Sequence, residues 1–145
     1  MKFSKSLLTV AGLAILTLTQ AASCSTANIG ETQMSTTTKD SVAVAPTTSF
    51  NTTDSEIHVT AVVHNAPDDT KVRARWIAVK AADVPANTQI IENTIETKGL
   101  NNLDFKITLE NPLPPGDYAV ELTLNPEEGK EQPATKTVPF TVVAQ

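Results

Sequence analysis

The sequence predicts an all-β fold, an antiparallel β-sandwich of roughly seven strands that follows a cleaved signal and a flexible linker. Three observations predict it. Apolar residues recur at every second position in several separate stretches, and turn-forming residues lie between those stretches. After residue 50 no stretch carries helical spacing long enough to pack as a helix.

The first element is the segment 1–23. Lys2 and Lys5 precede an apolar run from Leu7 to Leu18, the pattern of an export signal. The run is about a dozen residues long and is diluted by Thr9 and Thr17, whereas a bilayer-spanning helix needs roughly 20. The segment is therefore expected to be removed. Ala21, Ala22 and Ser23 lead into Cys24, the one cysteine of the chain.

Small residues before a cysteine resemble the lipobox of bacterial lipoproteins, although Ala21 stands where that family usually has leucine. The resemblance implies cleavage before Cys24 and acyl chains, palmitate among them, on its thiol and new amino group. It also implies a protein held in the cell envelope, with Ser25 pointing to the outer membrane or cell surface. Two acyl chains suffice for stable anchoring, at about 0.8 kcal/mol per buried methylene. The competing reading is ordinary cleavage after Ala21, which would release a soluble secreted domain with a free thiol.

Residues 24–49 comprise Cys24 and a stretch crowded with Ser and Thr, including Thr36, Thr37 and Thr38, with few large apolar groups. That composition predicts a tether with a reach of roughly 25 to 30 Å. A short strand near Val42 and Val44, or near Phe50, is expected to open the folded part.

Residues 50–145 are expected to form one domain. Ile57, Val59, Ala61 and Val63 alternate with polar residues, as do Val72, Ala74, Trp76 and Ala78. A weaker strand runs from Ile90 to Thr97, and Leu103, Phe105, Ile107 and Leu109 form the next. Tyr118, Val120, Leu122 and Leu124 follow, then Val138, Phe140 and Val142. Period two marks half-buried strands. Turns are expected at Ala66 to Thr70, Lys98 to Asn102, Asn111 to Asp117 and Pro126 to Pro133. Pro139 within the last strand predicts an edge or a bulge there.

Three pieces resemble immunoglobulin-like or fibronectin type III-like domains of the bacterial envelope: Thr70 to Lys80, Asn111 to Leu124, and Val138 to Val142. The resemblance implies an immunoglobulin-like sandwich in which Trp76 packs between the sheets and Tyr118 sits at a corner, its hydroxyl reaching back to the backbone. The chain lacks the inter-sheet cysteine pair of antibody domains. Such a resemblance specifies fold and implies only an accessory or binding role.

The candidate sites are few. His58 and His64, the two histidines, stand about 20 Å apart along an extended strand, too far for one ion, so no metal or other cofactor is expected. Asp54 with Glu56, Asp68 with Asp69, and Glu127 with Glu128 lack the ordered spacing of a calcium loop. Lys71, Arg73 and Arg75 form a basic stripe that Ile77 and Val79 continue. It is either an interaction surface or a set of cross-strand pairs with Glu92, Glu96 or Glu121. No supported nucleophile and base is evident, so no enzyme is expected. The net charge of −5 argues against nucleic acid as a partner. The expected role is a membrane-anchored binding or accessory module for an envelope protein or glycan. The alternative is a structural subunit that pairs through a sheet edge.

Overall fold

The structure, a computed structural model, describes residues 27–125 and 135–145. The expected signal and Cys24 lie outside the described residues, as do Glu127 and Glu128. Among the described residues eight strands follow in order: β1 Asn28–Ser35, β2 Thr38–Lys39, β3 Val42–Ala43, β4 Ser49–Asn51, β5 Glu56–Ala81, β6 Thr88–Thr108, β7 Gly116–Leu124 and β8 Thr135–Val143. The fold is all-β, as expected. Six strands make one curled sheet in the order β1-β5-β7-β8-β4, with β6 on the other side of β5. It is not purely antiparallel, because β4 runs parallel to β8 with Phe50 opposite Val142.

The longest departure from expectation concerns β5 and β6. Residues 57–63 and 72–78 are two halves of one strand, and residues 90–97 and 103–108 are two halves of its partner. The turns expected at Ala66 to Thr70 and Lys98 to Asn102 are instead one shared irregularity. Pairing slips between Ala66 opposite Gly99 and Thr70 opposite Thr97, setting Pro67, Asp68 and Asp69 of β5 against Lys98 alone on β6. Asn65, Asp69 and Gly99 take φ of 52°, 64° and 67°, a left-handed region that Gly, Asn and Asp enter at least cost. The Thr70 hydroxyl donates to the Pro67 carbonyl at 2.7 Å and holds the loop. Turn-forming residues here bulge a continuing ladder; they do not reverse the chain.

Because the sheet curls, both halves of β5 contribute to a single core. Ile57, Val59, Ala61 and Val63 are buried with Val72, Ala74, Trp76 and Ala78 in one cluster that also holds Phe105, Val120, Leu122 and Phe140. Phe140 is at its centre. It meets Phe50 edge-on at 5.7 Å and Trp76 edge-on at 6.1 Å, and stacks on Tyr118 at 5.3 Å. β4 covers β8 only over residues 141–143, so β8 is an edge at Pro139, where a missing N–H costs least.

The expected tether is largely structured. β1 pairs antiparallel with β5 from Asn28 opposite His64 to Ser35 opposite His58, and Met34 and Ser35 are buried. The folded part therefore begins near Asn28 and not near residue 50. Ser and Thr suit exposed strand positions as well as coil, so composition alone misplaced this boundary. After β1, Asp40 and Ser41 turn with φ of 51° and 59°, joining β2 and β3 as a two-residue hairpin of the type that such positive φ values favour.

Candidate functional site

The basic stripe is the first sequence-predicted site that can be placed. Lys71, Arg73 and Arg75 lie on one side of β5, as expected, but two of them are paired. Lys71 Nζ is 3.8 Å from Glu96 on β6, and Arg75 Nη2 donates to Glu121 Oε2 on β7 at 2.8 Å. Arg73 stands between them, opposite Thr94 and Thr123, with its Nε buried and without a partner among the described residues. Ile77 is only 7% exposed, whereas Val79 is 38% exposed. The pairing of β5 with β6 slips at Trp76 and Ile77, where Ile90 is the extra residue. The stripe and its apolar continuation are thus not one contiguous surface patch. Val79 instead borders an open groove of about 480 Å³ with Thr48, Ala119 and Pro139.

The two aromatics expected to be structural, Trp76 and Tyr118, are both buried. Trp76 is 1% exposed, and its Nε1 is buried without an acceptor among the described residues. The Tyr118 hydroxyl donates to the Pro114 carbonyl at 2.6 Å, a short bond from a strand start back to the preceding turn. Burial raises the Tyr118 pKa above its ordinary value of 10.0, because desolvation disfavours the phenolate.

His58 is not free. It is 7% exposed, and its Nδ1 lies 2.9 and 3.1 Å from the two carboxylate oxygens of Asp104. Asp104 Oδ2 also accepts from the Thr38 hydroxyl at 2.6 Å, and Glu56 Oε2 is 3.7 Å from His58 Nε2. The network fastens the β2 end of the small hairpin to β5 and β6. Sequence reasoning missed it, since the contact joins residues 38, 58 and 104. His64 lies away from it, opposite Asn28. Asp54 accepts from the Asn51 N–H at 2.8 Å and serves the turn after β4. Among the described residues no three His, Cys, Asp or Glu side chains gather as a metal site.

Besides these side chains the sheet has an open edge. Among the described residues β6 pairs only with β5 over its whole length, so its other side presents backbone donors and acceptors. The opposite edge of the sheet is better covered. On β1 the Met34 carbonyl accepts from the Thr47 N–H at 2.8 Å, and the Gly30 carbonyl accepts from Lys136 Nζ. Natural edge strands are commonly guarded by lysine, proline or short length. Residues 88–97 contain neither lysine nor proline. Ile90 and Ile91 are 37% and 43% exposed there, although Ile91 lies opposite Trp76 on the core face.

No protein-family model matches the chain, and comparison with curated proteins finds no match.

Proposed function

We propose that the protein is a lipid-anchored lipoprotein of the bacterial cell envelope whose β domain is a non-catalytic binding module working through the free edge of β6. The uncovered 21-residue strand, with two exposed isoleucines and no guarding lysine or proline over 88–97, is the observation that carries this reading. An extended segment of a partner adds to such an edge through main-chain hydrogen bonds, while alternate side chains supply selectivity. The pairing of Lys71 and Arg75 and the burial of Ile77 favour the edge over the basic face. The lysine-led apolar run and the small residues before Cys24 support the anchor. Buried Trp76 and the Tyr118 to Pro114 bond support an immunoglobulin-like character for the domain.

The test has two arms. Intact mass and detergent partitioning of the membrane-extracted protein, beside a Cys24→Ala variant, read the anchor. Acyl mass on a chain starting at Cys24, absent from the variant, is expected; an unmodified chain cut elsewhere refutes the anchor. Photo-crosslinking from position 91, with and without Glu92→Lys and Thr94→Lys, reads the edge. Products that disappear when the two lysines guard the edge are expected; unchanged products refute it.

A further inference from the structure

We infer that the end of the domain where β1 starts rests on the membrane, with Leu100 entering the lipid interface. The inference rests on the anchor reading above and names the surface that meets the bilayer. Leu100 is 71% exposed, the most exposed large apolar side chain among the described residues. A single exposed leucine is ordinary on a protein surface; the position of this one is what matters. Asn28 at the start of β1 lies opposite His64 on β5, and Val63 lies opposite Asn101 on β6. Leu100 is therefore level with the start of β1 and two strand spacings away, about 10 Å. Ala27 already packs against the core, so only Ser25 and Thr26 separate the fold from Cys24. That lead lets Cys24 reach at most about 11 Å from Ala27. Acyl chains on Cys24 would hold this end of the domain, and not the end at Thr108, against the bilayer.

The surroundings of Leu100 suit lipid. The chain just before it is equally open, since a Cβ at Gly99 would have no heavy atom within 4 Å. Leu100 and half-buried Val62 line an open cavity of about 490 Å³ with His64, Asn101 and Asn102. An apolar tip set among polar amides matches the change of polarity across a membrane interface, where apolar side chains sink below the headgroups and polar ones stay among them. Charge selects the lipid. Asp40, Asp68 and Asp69 are exposed around this end against Lys98. Anionic headgroups would be repelled there, so a zwitterionic surface is the one that fits.

The experiment uses the acylated mature chain, purified from its membrane and placed in vesicles of phosphatidylcholine and phosphatidylethanolamine. An acylated Cys24 has no free thiol, so a nitrobenzoxadiazole probe labels a single introduced cysteine. Asn102→Cys reports on the Leu100 end and Asn111→Cys on the far end past Thr108; both positions are exposed. A nitroxide on the lipid acyl chain near the headgroup is expected to quench the probe at 102 about fivefold more than at 111, which stands about 20 Å farther along the strands. Leu100→Asp, a surface change that leaves the fold intact, is expected to cut quenching at 102 severalfold, and added phosphatidylglycerol is expected to lower it. Equal quenching at 102 and 111, or quenching that Leu100→Asp does not change, overturns the lipid contact while flotation with the vesicles leaves the anchor standing. A blue-shifted but unquenched probe at 102 means that another copy covers Leu100, which also overturns it. A rise with phosphatidylglycerol overturns the choice of lipid. A chain that does not float with the vesicles overturns the anchor and this inference together.

Discussion

Replacing Phe140 with alanine gives the most searching test of the core. Phe140 is 3% exposed and touches three other rings, Phe50, Trp76 and Tyr118. Truncating a buried phenylalanine costs about 3 to 5 kcal/mol, and the cost is larger where the surroundings cannot collapse. Here the walls come from β4, β5, β7 and β8, whose ladders hold them apart. With three aromatic pairs each contributing about 0.5 to 1.5 kcal/mol, Phe140→Ala is expected near the top of that range. Phe50→Ala, which loses one ring contact on a three-residue strand, is expected to cost about 1 to 2 kcal/mol less. Urea unfolding followed by the fluorescence of Trp76, the one tryptophan, measures both on the mature chain. A loss below about 2 kcal/mol for Phe140→Ala, or equal losses at both positions, would refute the assignment of Phe140 as the centre of the core.

Three further outcomes follow from named contacts. In the folded chain Tyr118 keeps its proton above pH 10 while the unfolded chain releases it, so the unfolded state binds fewer protons and stability falls as pH rises from about 10 toward the raised pKa. Tyr118→Phe should lose this alkaline decline and about 1 kcal/mol at neutral pH, both read by thermal melts across pH; a wild-type decline that the variant retains contradicts it. Asp104→Ala strands the buried His58 Nδ1 and releases Thr38, costing about 1 to 3 kcal/mol. Hydrogen exchange should quicken at Val42 and Ala43 while β7 and β8 stay protected, and uniform acceleration would count against a local role. In Gly116→Ala the added Cβ would sit 2.5 Å from Ala81 Cα and still closer to the Lys80 carbonyl. Backbone on both sides cannot give way cheaply, so a loss of about 1 to 3 kcal/mol is expected in urea unfolding, and a neutral substitution would argue against the Gly116 to Ala81 pairing.

Alternation made most buried positions legible, because period two depends only on which face of a strand meets the core. Ile57 through Val63, Val72 through Ala78, and Tyr118 through Leu124 bury the expected residues. Connectivity was less legible. Pro67, Asp68, Asp69 and Gly99 carry the chemistry of a turn whether the chain reverses or bulges. Only the paired slips in β5 and β6 distinguish the two, and they depend on two segments some thirty residues apart. The basic stripe illustrates a related limit. Lys71 and Arg75 alternate as an exposed face would, but whether that face is free depends on Glu96 and Glu121, which the sheet order brings alongside. The His58 contact to Asp104 is of the same kind.

The misplaced tether changes what an anchor would do. With β1 beginning at Asn28, an acylated Cys24 has only Ser25, Thr26 and Ala27 before the sheet, a span of at most about 14 Å, where a tether of roughly 25 to 30 Å was expected. A domain on so short a lead has little freedom to rise from the surface, so neighbouring copies would sit at nearly the same height. Domains held level meet side to side, and a strand with a free edge is an element through which β domains join laterally. Inserting a Gly/Ser segment of about 20 residues after Ala27 separates these effects, because it loosens the height while leaving the edge intact. Photo-crosslinking from position 91 is expected to fall severalfold as effective concentration drops with linker length. An unchanged yield would mean that the short lead contributes nothing to pairing.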